Sequence, residues 1–117
     1  MRILLVDDEL ELVTALAERL VLRGIDADWA LSGEQALEKV RAAEYDAAVL
    51  DYKMPGMSGL EVIRKITLIR PDMKFIIVTG HASEQDDRVC RDAGACFYLM
   101  KPLKIEALIE RLKEAIG

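Results

Sequence analysis

Apolar and polar positions along the chain follow two alternating rhythms. Short runs of aliphatic or β-branched residues, Ile3 to Val6, Ile25 to Trp29, Ala47 to Leu50, Phe75 to Thr79 and Cys96 to Met100, are each followed by a longer stretch with apolar residues every three or four positions. Most of the short runs are continuously apolar, which predicts strands covered on both faces, as in a parallel sheet. The longer stretches predict five helices, with apolar stripes at Leu12, Leu16 and Leu20; at Ala36, Leu37 and Val40; at Ile63 and Ile66; at Val89 and Ala93; and at Ile105, Leu108, Ile109, Leu112 and Ile116. Ser32 with Gln35 and Ser58 with Glu61 read as capping boxes, and Ser83 as a further helix start. Gly24 and Gly94 suit the left-handed residue after a helix, and Pro71 stops the third helix. Strand and helix thus alternate five times, without repeats or low-complexity segments. Right-handed crossovers make five such units a doubly wound α/β sandwich, whose chemistry belongs at the carboxyl ends of the strands.

The 117 residues suit a single domain, residues 1–117, and 52% apolar with 32% charged residues is enough for a packed core. The longest stretch without a formal charge, Phe75 to Ser83, is far short of the roughly 20 residues that cross a bilayer. Met1 is followed by an apolar run ending in acids, which is no signal peptide, so a cytoplasmic protein is expected. Sixteen Lys and Arg against 21 Asp and Glu leave a net charge of −5, which argues against direct contact with nucleic acid. Cys90 and Cys96, with His81 as the only histidine, do not make a zinc site and are expected to be free thiols.

At the predicted strand ends stand Asp7 and Asp8 after the first, Asp51 after the third, Thr79 closing the fourth and Lys101 after the fifth. Three carboxylates at one edge repel one another, a conflict that a divalent cation relieves. Oxygen ligands without thiolate or imidazole favour Mg²⁺. Lys101 offers a point charge and Thr79 a hydroxyl donor for the oxygens of a transferred phosphoryl group, and an aspartate can serve as its nucleophile.

The segments ILLVDDE (Ile3 to Glu9), VLDYKMPGMSG (Val49 to Gly59), VTGHA (Val78 to Ala82) and YLMKP (Tyr98 to Pro102) resemble those of bacterial response-regulator receiver domains. The resemblance covers essentially the whole chain. It implies a flavodoxin-like sheet in the order 2-1-3-4-5. It implies Asp51 as the phosphoacceptor, with Asp8, Asp51 and the Lys53 backbone carbonyl ligating Mg²⁺ and Asp7 acting mainly through a metal-bound water. Thr79 and Lys101 would bind the phosphoryl oxygens, Tyr98 would be the aromatic switch residue, and the Lys101–Pro102 bond would be cis. Gly56 and Gly59 flank the turn after Asp51, where close backbone approach needs no Cβ. Lys53 and His81, at positions that vary among receivers, should stand at the mouth of the site. Gly80 replaces the alanine that many receivers carry.

The implied function is phosphorylation-controlled signalling in a two-component pathway, with a histidine kinase or phosphotransfer protein as partner. It would be no enzyme in the ordinary sense, catalysing only its own phosphorylation and dephosphorylation. The output surface would be the fourth helix, last strand and last helix, from about Ser83 to Ile116. Exposed Asp87, Arg91, Lys104 and Arg111 there could pair across a two-fold axis in a homodimer. The chain could be a single-domain regulator or the receiver of a longer transcriptional regulator with an output module beyond Gly117. Three rivals fare worse. A flavodoxin-like carrier would have its flavin phosphate repelled by Asp7, Asp8 and Glu9. An aspartate-nucleophile phosphatase needs an acid where Lys53 stands. A phosphorylation-independent pseudo-receiver usually lacks part of the acid, Thr and Lys set.

Overall fold

A computed structural model describes residues 1–117, all of the chain. The elements are β1 (Arg2–Val6), α1 (Leu10–Leu22), β2 (Asp26–Ala30), α2 (Gly33–Ala42), β3 (Ala47–Asp51), α3 (Gly59–Ile69), β4 (Lys74–Thr79), α4 (Glu84–Asp92), β5 (Ala95–Met100) and α5 (Ile105–Ile116). The five strands form one parallel sheet in the order β2-β1-β3-β4-β5, so the doubly wound α/β architecture stands.

Side chains alternate across the pleat, which divides the core in two. Leu4, Val6, Ala48, Leu50, Phe75 and Ile77 pack with residues of α2, α3 and α4, including Val40, Ile63, Ile66 and Cys90. Ile3, Leu5, Ala47, Val49, Ile76 and Val78 pack with Val13, Ala17 and Leu20 of α1 and with Leu108 and Leu112 of α5. The three central strands are buried on both faces, whereas β2 and β5 at the edges are only half covered.

Two helical stripes differ from the sequence reading. In α1 the buried positions are Val13, Ala17 and Leu20, while Leu12 is 43% exposed. Both sets have helical spacing, and the neighbouring sheet selects the one that faces it. In α4 only Cys90 is fully buried, Val89 is 38% exposed, and the half-buried Ala93 follows the helix. The serine caps hold, each in a simpler form than a reciprocal box. Ser32 Oγ accepts from the Gln35 N–H, and Gln35 Oε1 accepts from Leu31 rather than Ser32. Ser58 Oγ accepts from the Glu61 N–H with no return bond, and Ser83 Oγ from the Asp86 N–H. Gly24, at φ +80°, closes α1 with its N–H on the Val21 carbonyl and the next N–H, of Ile25, on that of Leu20.

An irregularity in β5 matters for the site. Phe75 pairs with Ala95, but Ile76 pairs with Phe97, so Cys96 is an extra residue in the ladder. The bulge reverses the alternation beyond it. Tyr98 therefore packs on the α2–α4 side with Ala95, and Phe97 and Leu99 on the α1/α5 side.

Candidate functional site

The parallel sheet brings Asp7, Asp8, Asp51, Thr79 and Lys101 to its carboxyl edge. Asp7 follows β1 with its N–H on the Ala30 carbonyl, Asp51 ends β3, Thr79 ends β4, and Lys101 follows β5 with its N–H on the Thr79 carbonyl at 2.8 Å. Carboxylate oxygens of Asp7, Asp8 and Asp51 all lie within 4.8 Å of one another. Asp7 and Asp51 are buried and Asp8 is exposed. Both Asp7 oxygens are engaged: Oδ1 accepts the Glu9 N–H at 3.0 Å and Oδ2 the Lys101 ammonium at 2.8 Å. The same ammonium stands 3.6 Å from Asp51 Oδ1.

These positions set the electrostatics. Burial pushes the Asp51 carboxyl above the usual aspartate range; Lys101 pulls it down, while Asp7 and Asp8 push it up. Burial also opposes the Lys101 charge, but the hydrogen bond to Asp7 and the charges of Asp7, Asp51 and Glu9 outweigh it and raise the lysine. The donor set fits a hard cation. Octahedral Mg²⁺ places opposite oxygens about 4.2 Å apart, so a 4.8 Å cluster is spanned by one ion after slight closing or through one water. No thiolate or imidazole belongs to the cluster.

Thr79, 2% exposed, donates its hydroxyl to the His81 carbonyl at 3.3 Å and accepts the His81 N–H at 3.2 Å. Tyr98 is half-buried; its hydroxyl donates to the same carbonyl at 3.5 Å and accepts the Ser83 N–H at 3.3 Å. Lys53 and His81 are exposed on the loops after β3 and β4. The Lys101–Pro102 bond is cis. Gly59 N–H donates to the Tyr52 carbonyl, and a Cβ on Gly59 would sit 2.7 Å from the Asp51 carbonyl oxygen, so the start of α3 packs directly on the end of β3.

The sequence reading missed one pair at this edge. Tyr52 donates its hydroxyl to Asp86 Oδ1 at 3.1 Å, and its ring meets Tyr98 edge-on with centroids 6.3 Å apart. A tyrosine beside Asp51 and an acid in a helix's first turn are each unremarkable in sequence, and 34 residues separate them. The charges expected to meet across a two-fold axis are partly engaged within the chain. Arg91 pairs with Asp87, and Arg111 pairs with Glu114 and lies over the Phe97 ring.

The family described as response regulator receiver domain matches residues 3–113. The response regulator MprA of Mycobacterium avium (strain 104) is 35% identical over 113 residues, 97% of this chain and 50% of that protein. The chain spans about half the length of the curated relatives it matches. A CheY-like response regulator receiver domain protein from Methanospirillum hungatei JF-1 superposes with a TM-score of 0.91 at 35% identity, covering 98% of this chain and 92% of that one. A response regulator protein from Burkholderia pseudomallei, solved with a phosphorylated aspartic acid, a calcium ion and citrate, gives 0.89 at 28% identity, covering 95% of this chain and 65% of that one. No helix is long and apolar enough to cross a membrane.

Proposed function

This chain belongs to the response regulator receiver domain family of two-component signalling, and from that membership we propose that it accepts a phosphoryl group on Asp51. Receiver domains of this family interact with histidine kinases or phosphotransfer proteins. The observation that carries the proposal is the grouping of Asp7, Asp8 and Asp51 oxygens within 4.8 Å, with the Lys101 ammonium 3.6 Å from Asp51. In the transfer an Asp51 carboxylate oxygen forms a bond to phosphorus. The bond from phosphorus to the donor's imidazole nitrogen breaks, and the electron pair leaves with that nitrogen. Lys101 meets the charge on the phosphoryl oxygens, and the Thr79 hydroxyl donates to one of them. Asp8, Asp51 and the Lys53 carbonyl would hold Mg²⁺, with Asp7 reached through water; a bound cation supplies charge that neutralises the transferred group.

Water attacking phosphorus later breaks the bond to the Asp51 oxygen, inorganic phosphate leaves and the free carboxylate returns; in this reading the chain catalyses both its own loading and its own unloading. Exposed Lys53 and His81 flank the approach of the attacking water. Replacing both with alanine should change the phosphoryl lifetime several-fold while leaving the initial rate of phosphorylation little changed; an unchanged lifetime would remove them from the mechanism.

The output follows from the Thr79 hydroxyl, which has one proton and gives it to the His81 carbonyl in the structure described. Donating instead to a phosphoryl oxygen draws Thr79 inward and releases the loop, and with it Tyr98 and the face of α4, β5 and α5. In a homodimer through this face Arg91 and Arg111 would either share their free N–H groups with acids of the second copy or exchange Asp87 and Glu114 for them. Hydrogen exchange with and without beryllofluoride and Mg²⁺ tests the reading. Changes at the Asp51 and Thr79 loops and between Ser83 and Ile116 are expected; changes confined to α1 and α2 would overturn it.

A further inference from the structure

Tyr52 is rooted in the sheet, and its hydroxyl reaches out to a helix. Its N–H donates to the Val78 carbonyl at 2.9 Å, which continues the β3–β4 pairing one residue past Asp51. Its hydroxyl ends on Asp86 Oδ1, in the first turn of α4. That turn is held from a second side, because its cap Ser83 gives its N–H to the Tyr98 hydroxyl. The two holds differ in what lies beneath them. Tyr98 also donates to the His81 carbonyl, on the loop that Thr79 releases when its proton turns to a phosphoryl oxygen. Tyr52 bonds to nothing on that loop, so its grip on α4 survives loop release and opposes any displacement of the turn.

We propose that the Tyr52–Asp86 hydrogen bond tethers α4 to the end of β3 and sets the threshold at which modification of Asp51 displaces the helix. Tyr52 is thereby a positioning residue that acts through Asp86. The proposal rests on the reading of Asp51 as phosphoacceptor. A bond made in the tethered arrangement and lost in the displaced one stabilises only the first. By linkage, its removal makes whatever favours the displaced arrangement bind more tightly.

Tyr52→Phe removes the hydroxyl and keeps the ring against Tyr98. Asp86, already half-exposed, then turns to water. Calorimetric titration with beryllofluoride at saturating Mg²⁺ should show Tyr52→Phe binding roughly three- to tenfold more tightly than wild type, the worth of one partly exposed hydrogen bond. The affinity for Mg²⁺ alone should not move, and amides of the first α4 turn should exchange faster before any beryllofluoride is added. In an Asp86→Ala background Tyr52→Phe should have no further effect, which separates the tether from general loosening. Equal beryllofluoride affinity in wild type and Tyr52→Phe, or the same gain with Asp86 already removed, would overturn the tether and leave the phosphoacceptor reading standing. Failure of wild type itself to take up beryllofluoride would bring down both.

Discussion

Asp51 stands where a charged carboxylate is costly. Its folded-state pKa lies above the ordinary aspartate value because burial and the charges of Asp7 and Asp8 outweigh the attraction of Lys101. A raised acid binds more protons folded than unfolded, so its charge lowers stability at neutral pH and that loss disappears as pH falls below the ordinary aspartate pKa. In metal-free buffer Asp51→Asn should therefore melt at or above the wild-type temperature at pH 7, and the gap should close as pH falls toward about 4. Thermal melts of the two proteins across that range measure it. A variant that melts lower at pH 7 would mean that the Asp51–Lys101 attraction exceeds the repulsion. Lys101 is raised for the opposite reason, since its gain from Asp7 and Asp51 exceeds its loss on burial. Its stabilisation is complete below the ordinary lysine pKa and is lost as pH rises through the raised value.

Elements carry these residues to one place, and some of their junctions leave no room. A Cβ on Gly59 would meet the Asp51 carbonyl oxygen at 2.7 Å and Ile77 Cδ1 at 3.1 Å, whereas one on Gly80 would meet nothing within 4 Å. Gly59→Ala should cost about 1–3 kcal/mol in urea denaturation despite the better helix propensity of alanine, and Gly80→Ala should be close to neutral. Equal stability of the two would show that the start of α3 can shift away from β3 freely. The strand–helix order, the serine caps and the grouping of Asp7, Asp8, Asp51, Thr79 and Lys101 were all legible in the sequence, because run length, capping and strand ends are local features. Strand order was legible only through the receiver resemblance, since periodicity does not say which strands are neighbours. The extra residue at Cys96 was not legible, as a bulge is defined only by its pairing with β4, and it puts Tyr98 on the same side of the sheet as α4. Leu12 misled because two stripes of α1 share helical spacing and only the sheet distinguishes them. The contact between Tyr52 and Asp86 was hidden for the same reason, being a product of packing between distant segments.

For the whole molecule, a ligand that binds only the folded chain shifts its stability. Mg²⁺ at a hundred times its dissociation constant should add about 2.7 kcal/mol, which is on the order of 10 °C for a domain of this size. Asp8→Asn should remove most of that rise, and an unchanged melting curve in millimolar Mg²⁺ would count against a cation at the three aspartates. The most direct test is to incubate the chain with Mg²⁺ and a small phosphodonor and locate the modification by mass spectrometry. A single phosphoryl group, released by hydroxylamine, should map to Asp51 after borohydride reduction, and Asp51→Asn should acquire none. A label on another residue, or one of equal yield in Asp51→Asn, would contradict Asp51 as the phosphoacceptor.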